Sequence, residues 1–396
     1  MILTQTTAFL VDAYRELNAR KMFWITLGLS LLVVAIMGCF GVNDKGLTFL
    51  GWTFNNDILN ARLIPPEKFY IFVFANLGVP IWLTWAATVL ALISTASIFP
   101  DFIQGGAIEL TLCRPIGRVR LFFTKFACGL LFVALQVFVF SLACFIVIGI
   151  RGKSWVPDLF LAVPIVLLFF TYLFSFCVLV GLVTRSTLAS ILFTCLFWLA
   201  LFVLNTTDGI FVSQRAAKEI AVERAERTIE VRTRGAERMR QRLIDAGQPL
   251  PAKDAWPEGA QSELEAISLP LLNARKELAE ASESRDNWVK YSGWVFLAKT
   301  VLPKTSETIA LLDRAILTDK DRELFSPPGA DDEPAPGDEE AGSGRRRGPQ
   351  MGDPAVTRRA EKIIRQRSQW WITGTSAAFA GVLLAIGAWI FARRDF

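Results

Sequence analysis

Phe126 to Ile150 reads FACGLLFVALQVFVFSLACFIVIGI, a run without one charged side chain. A bilayer core of about 30 Å needs about 20 such residues in a helix, so this run alone argues for a membrane protein. Five more charge-free runs meet the same requirement: Met22 to Asn43, Phe69 to Pro100, Leu159 to Thr184, Ser186 to Thr207 and Ser368 to Ala392. Gly, Ser and Thr are scattered among their Leu, Val, Ile and Phe, as helices that pack closely in lipid require. The second run is longer than a crossing needs and contains Pro80, which predicts a kink or a tilt there. A cleaved signal peptide is the competing reading of the first run, but a charged segment precedes it and no A-x-A site follows.

Composition supports this reading and narrows the chemistry. Of 396 residues, 53% are hydrophobic and 20% charged, and the charge is concentrated between the fifth and sixth runs. Histidine is absent, which excludes Ser/His/Asp triads, Cys/His pairs and His-containing metal sites. The six cysteines are dispersed with no C-x-x-C pair, so neither a metal cluster nor a disulfide framework is expected. The formal charge of +5 is modest and its basic residues form no aromatic-interleaved stripe, so no nucleic-acid partner is expected.

Basic residues in short loops set the orientation. With the N-terminus in the cytoplasm, Arg15, Arg20, Lys21, Arg114, Arg118, Arg120, Lys125, Arg185, Arg393 and Arg394 lie inside, against Lys45, Arg62, Lys68, Arg151 and Lys153 outside. Both termini are then cytoplasmic. The fold class expected is all-α: six transmembrane helices with a large helical, partly disordered extracytoplasmic insertion between spans five and six. Its parts are a cytoplasmic amphipathic helix at 1–21, spans one to five with a cytoplasmic loop at 98–125 in 22–207, the insertion at 208–368, and span six with the cytoplasmic C-terminus at 369–396.

Within the insertion, Ala217, Ala221, Ala225, Ile229, Ala236, Met239 and Leu243 recur at three- and four-residue spacing, which predicts a long helix from Ser213 to Ala246 ended by Gly247, Pro249 and Pro251. A second helix is expected from about Ser262 to Tyr291, with Pro270 as an interruption point, and the two should form an antiparallel hairpin. Mixed charge along both usually marks a solvated face, although the arm leaves room for a periplasmic partner. From Trp294 to Leu317 the chain is apolar but holds Lys299, Lys304, Glu307, Asp313 and Arg314, which excludes a seventh ordinary span. Two amphipathic pieces split by Pro303, lying against or dipping into the outer membrane surface, are expected instead. Residues 326–354, rich in Pro, Gly and charge, are expected to be disordered.

The spans carry no ionisable group in their central parts, which argues against proton- or ion-coupled transport and intramembrane proteolysis. Gly152-Lys153-Ser154 resembles the end of a phosphate loop, but Val147 stands where its first glycine should be. No nucleophile, base or metal cluster is visible, and no cofactor or enzymatic activity is expected of this chain. The inner loop IFPDFIQGGAIELTLCRPIGRVRLFFTK, Ile98 to Lys125, is the most informative segment. Asp101 and Glu109 are expected in a short, mostly apolar helix, with Phe102, Ile103 and Ile108 exposed for docking into a groove on a soluble partner, and Arg114, Pro115, Arg118 and Arg120 following where the next span begins.

An amphipathic N-terminal helix containing ELNARK at Glu16 to Lys21, six spans, the FPDF…GGAIELTLCRPIGRVRLFFTK loop and the ending Phe391-Ala392-Arg393-Arg394-Asp395-Phe396 together resemble type-2 permease subunits of bacterial ATP-binding-cassette (ABC) transporters. The resemblance covers about 1–207 and 368–396. It implies a dimeric permease in the bacterial cytoplasmic (inner) membrane, surrounded by lipid and driven by a separately encoded ATPase subunit, most simply an exporter. It also implies ATPase coupling through Asp101, Phe102, Ile103, Ile108, Glu109, Arg114, Pro115 and Arg118. The insertion departs from the usual pattern, in which this outer loop is much shorter. The alternative is therefore a mechanotransmitting or scaffolding membrane protein that acts on a periplasmic partner through the helical arm.

Overall fold

The computed structural model describes residues 21–43, 46–49, 52–55, 65–104, 117–318 and 353–393. Among them, six helices are long and apolar enough to cross a membrane: Lys21–Cys39, Pro66–Ile103, Arg118–Arg151, Pro157–Thr184, Thr187–Asp245 and Gln369–Arg393. The expected N-terminal amphipathic helix, most of the expected disordered run, and the terminal Arg394, Asp395 and Phe396 lie outside the described residues. The described chain forms two compact units, one of 21–203, 300–318 and 369–393, the other of 204–299 and 353–368.

The first unit begins with α1, Lys21–Cys39, and continues directly into a three-stranded antiparallel sheet, β1 Phe40–Asn43, β2 Gly46–Phe49 and β3 Trp52–Asn55. This sheet corrects the all-α expectation. Its register pairs Phe40 with Phe49, whose ring centroids lie 4.9 Å apart across the strands. Tyr70 ties it to the helices: its hydroxyl donates to the Phe40 carbonyl at 2.6 Å and accepts from Arg151 Nε at 3.2 Å.

The second apolar helix is α2, Pro66–Val73, a π-helical segment Phe74–Ala87, and α3, Thr88–Thr95. The kink expected at Pro80 takes this wider form. Proline has no N–H to donate and its ring crowds the preceding turn, and a widened turn relieves both problems. Thr84 and Thr88 donate their hydroxyls five residues back, to the carbonyls of Val79 and Leu83 at 3.0 and 2.8 Å, satisfying groups the widened ladder leaves poorly paired. A turn at Ala96 and Ser97 then leads into α4, Ile98–Gln104.

Three apolar helices follow: α5, Arg118–Arg151; α6, Ala162–Thr184, entered through a 3-10 turn at Pro157–Leu161; and the start of α7, Thr187–Asp245. Arg185 adopts a left-handed conformation with φ 53°, which ends α6 and lets α7 begin two residues later. Helix α12, Gln369–Arg393, packs against α5 and α6. The core is dominated by phenylalanine: Phe74, Phe140, Phe169, Phe170 and Phe174 are fully buried, and Phe126 stacks on Phe174 with ring centroids 5.0 Å apart. In lipid these rings hold the bundle through close van der Waals packing and not through withdrawal from water.

The second unit holds the charged part of α7 together with α8, Glu263–Ile267, α9, Leu269–Val301, and α11, Pro354–Arg365. Helix α7 ends in a Schellman arrangement: Gly247 has φ 64°, its N–H donates to Ile244, and Gln248 N–H donates to Leu243, both at 3.0 Å. Ser262 caps α8 by accepting from Glu265 N–H. The break before α9 comes at Ser268, next to Pro270. Contacts between Asp208 and Lys299, Phe211 and Trp288, and Arg240 and Glu263 run in opposite directions along the chain, so α7 and α9 form an antiparallel hairpin. Arg359 lies between Glu219 and Glu223 and fixes α11 to the same stretch of α7. Val356 and Ala360 of α11 bury against Val212, Ala216 and Ala217.

The segment around Pro303 differs from its expectation. Trp294 to Val301 completes α9, and only the second piece, α10, Thr305–Ile316, is a separate helix. Helix α10 does not lie on a surface. It packs against α6, the π-helical segment and α12, with Ile309 and Leu312 in the phenylalanine-rich core. Its apolar face explains how it can enter a bundle, and Thr308 turns its hydroxyl onto the Lys304 carbonyl at 2.7 Å.

Candidate functional site

Two elements of the first unit, α4 and α5, carry the described residues singled out in the inner loop, and the site begins with α4. Along this helix Ile98, Phe99 and Phe102 point into the bundle while Asp101 is exposed. Phe99 packs on Phe122 of α5 with centroids 5.2 Å apart, and Phe122 in turn meets Phe391 of α12 at 5.9 Å. Lys125 Nζ sits 5.1 Å from the centre of the Phe102 ring. Two glycines border α4 at ordinary contact distance. A Cβ on Gly181 would stand 3.4 Å from the Pro100 ring, and one on Gly129 would stand 3.4 Å from Ile98.

The expected docking face therefore needs a correction. Phe102 is 7% exposed and Ile103 is partly buried against the core, so neither offers an apolar knob to a partner. The physical reason is the helical spacing of Ile98, Phe99 and Phe102, which places all three on one face, and burying that face on α5 outweighs leaving it wet. Asp101 is what this helix presents outward. Ile108, Glu109, Arg114 and Pro115 lie outside the described residues.

Arg118, the last of the predicted group, has a defined job. Its Nη1 donates to the Ala392 carbonyl at 3.1 Å, joining the first turn of α5 to the last turn of α12. A guanidinium at a helix C-terminus satisfies a carbonyl that has no intrahelical partner and complements the dipole. Nearby, Arg393 lies over the Trp389 ring at 4.6 Å. Lys21, Arg118, Arg120, Lys125, Arg185 and Arg393 all sit at one end of their helices, so this end of the first unit is basic and Asp101 is an acidic point within it.

Two ionic clusters escaped the sequence reading. In the first unit Lys304 is fully buried, with Nζ donating to the carbonyls of Thr300 and Leu302 at 2.9 and 3.2 Å and to Thr375 Oγ1 at 2.5 Å, and lying 4.5 Å from the Trp371 ring centre. Its backbone N–H donates to Ser376 Oγ at 3.0 Å, and its carbonyl accepts from Thr308 at 2.7 Å. Every one of these groups seats the N-terminal turn of α10. In the second unit Asp208 is held by Lys299 Nζ at 2.9 Å and by Arg367 Nη1 and Nη2 at 2.7 and 3.0 Å. Asp208 and Lys299 are buried, Arg367 is mostly covered, and Arg367 also rests on the Phe296 ring. Burial alone would push the Asp208 carboxyl up, but the two Arg367 hydrogen bonds and the Lys299 charge outweigh it and hold the group below the usual carboxylate range. The signal for this cluster was positional: Asp208 directly follows one apolar run and Arg367 directly precedes another.

Comparison with family models, with curated proteins and with solved structures returned no match.

Proposed function

We propose that the chain is the membrane-spanning permease subunit of an ABC transporter, an exporter that works as a dimer in a bacterial cytoplasmic membrane and is driven by a separate ATPase chain. The observation that carries this reading is α4. It is a seven-residue helix locked into the bundle by Phe99 and Phe102 with Asp101 turned outward among basic helix ends. An anchor would need no such element, whereas a bundle moved by a partner needs a rigid lever that cannot slip relative to its helices. The coupling surface is then acidic and polar, centred on Asp101, in place of the apolar knobs Phe102 and Ile103. The test is co-purification of an ABC ATPase from the native host with wild type and with Asp101→Arg. The variant should insert normally but lose the ATPase or its coupled hydrolysis, and full retention of both would reject the proposal.

A second reading is favoured by α7, a single helix of 59 residues running from an apolar stretch into a charged one. Such a rod suits transmission of motion to a periplasmic partner without movement of any substrate. Substrate-stimulated ATP hydrolysis in liposomes separates the two, because only an exporter shows it.

A further inference from the structure

Along the outward face of α9 the character of the side chains changes abruptly. Glu283, Asp286 and Lys290 are exposed, and beyond them come exposed Tyr291, then Trp294 at 65% and Leu297 at 62% exposure. Ile210, exposed on α7, belongs to the same end of this unit. At that level three charged residues are present, Asp208, Lys299 and Arg367, and all three are turned inward onto each other. In water this arrangement is backwards, because covering the charges costs desolvation while exposed Trp and Leu forgo the gain of burial.

We infer that this end of the helical insertion is immersed in lipid, with Tyr291 and Trp294 in the headgroup layer and Leu297 and Ile210 facing the acyl boundary. Lengths agree with this. Asp208 stands 21 residues after Thr187 in the same helix, about 31 Å at 1.5 Å per residue, which is the thickness of the hydrocarbon core. Trp294 lies five residues back along α9 from Lys299, about 7.5 Å further out, and the polar layer of a bilayer is about 5–7 Å deep on each side. Tyr and Trp favour that layer because their rings are apolar and their tips polar. The ion cluster then sits where the hydrocarbon ends, neutralised internally because lipid supplies little solvation. The insertion thus begins as a membrane-bound collar and becomes a water-exposed arm only at the level of Lys290 and Arg215.

The inference rests on the membrane placement proposed above and is independent of the ATPase. It is tested with nitroxide labels at Leu297→Cys, Trp294→Cys, Asp286→Cys and Leu196→Cys, each in the full chain with its six cysteines replaced by alanine, reconstituted in phosphatidylcholine vesicles. Collisions with oxygen report lipid and collisions with a water-soluble nickel chelate report water. Leu297 should show high oxygen and several-fold lower nickel collision than Asp286, with Trp294 between them. Nickel access at Leu297 equal to that at Asp286 overturns the inference, and low collision with both reagents overturns it in favour of contact with a second copy. The label at Leu196, exposed on the apolar part of α7, should report lipid in every case; nickel access there would reject the membrane placement itself. In the unmodified chain in the same vesicles, hydroxyl radicals should oxidise Met239 readily and Trp294 slowly, and equal oxidation would count against the collar even if the cysteine-free chain folded poorly.

Discussion

Arg118 and Ala392, 274 positions apart in the chain, are joined by a hydrogen bond of 3.1 Å from a guanidinium to a terminal helix carbonyl. It closes the basic end of the first unit. Arg118→Ala should lower stability on the order of 1 kcal/mol, since the side chain is partly exposed and screening reduces its worth. Hydrogen exchange should show faster exchange of amides in the last turn of α12, and unchanged exchange there would mean that the bond contributes nothing.

Asp208→Asn leaves Lys299 and Arg367 beside each other without a counter-charge. Breaking a buried ion cluster in this way should cost about 3–5 kcal/mol. Chemical unfolding followed through a fluorine label on Trp288, which packs on Phe211 at 5.4 Å, is a local readout.

The same carboxylate predicts an acid response. Its folded-state pKa is held below the unfolded value of about 3.9, so its contribution to stability is present above that pH and is lost as pH falls through the lowered folded value. The second unit should keep its Trp288 signal from neutral pH down to about 4 and lose it only below that. In Asp208→Asn the step attributable to this group should be absent.

Gly247→Ala places a β-carbon at φ 64° and strains the Schellman turn. The expected loss is about 1–2 kcal/mol, confined to the tip of the hairpin, with Gly247→Asn better tolerated because asparagine adopts this conformation more easily. Limited proteolysis at Gln248 to Ala252 should accelerate in the alanine variant.

Gly129→Ala tests the packing of α5 on α6. The new methyl group would meet the Phe174 ring at 2.5 Å, and that ring is buried and stacked between Phe126 and Phe170. Overpacking of this kind costs about 1–3 kcal/mol, which thermal unfolding in detergent would register. Unchanged stability would show that the ring stack can shift.

The six apolar helices were legible because a run such as Phe126 to Ile150 needs only length and the absence of charge to be recognised. The sheet was not, because Phe40–Asn55 is short and its pairing depends on strand register and on Tyr70, thirty residues away from Phe40. Helix α11 was missed although Val356, Ala360, Ile363 and Ile364 share helical spacing; the Pro- and Gly-rich run before it dominated the reading. For Phe102 the helix is legible but its buried face is not, because that face is set by what α5 covers, which depends on tertiary packing. Lys304 could not be foreseen at all, since its acceptors come from the turn before it and from Thr375 in a different helix.

The Asp208–Arg367 contact has one more consequence. The chain departs at Asp208, travels through 158 intervening positions and returns to within 2.7 Å of its point of departure. An appendage whose two ends already touch imposes no stretch on its host and brings its own loop closure, the entropic term that grows only slowly with length. The closure does not make the whole stretch dispensable, because α10 lies within it and seats Ile309 and Leu312 in the bundle core; only the α7–α9 hairpin and α11 outside the core could be exchanged for a short linker.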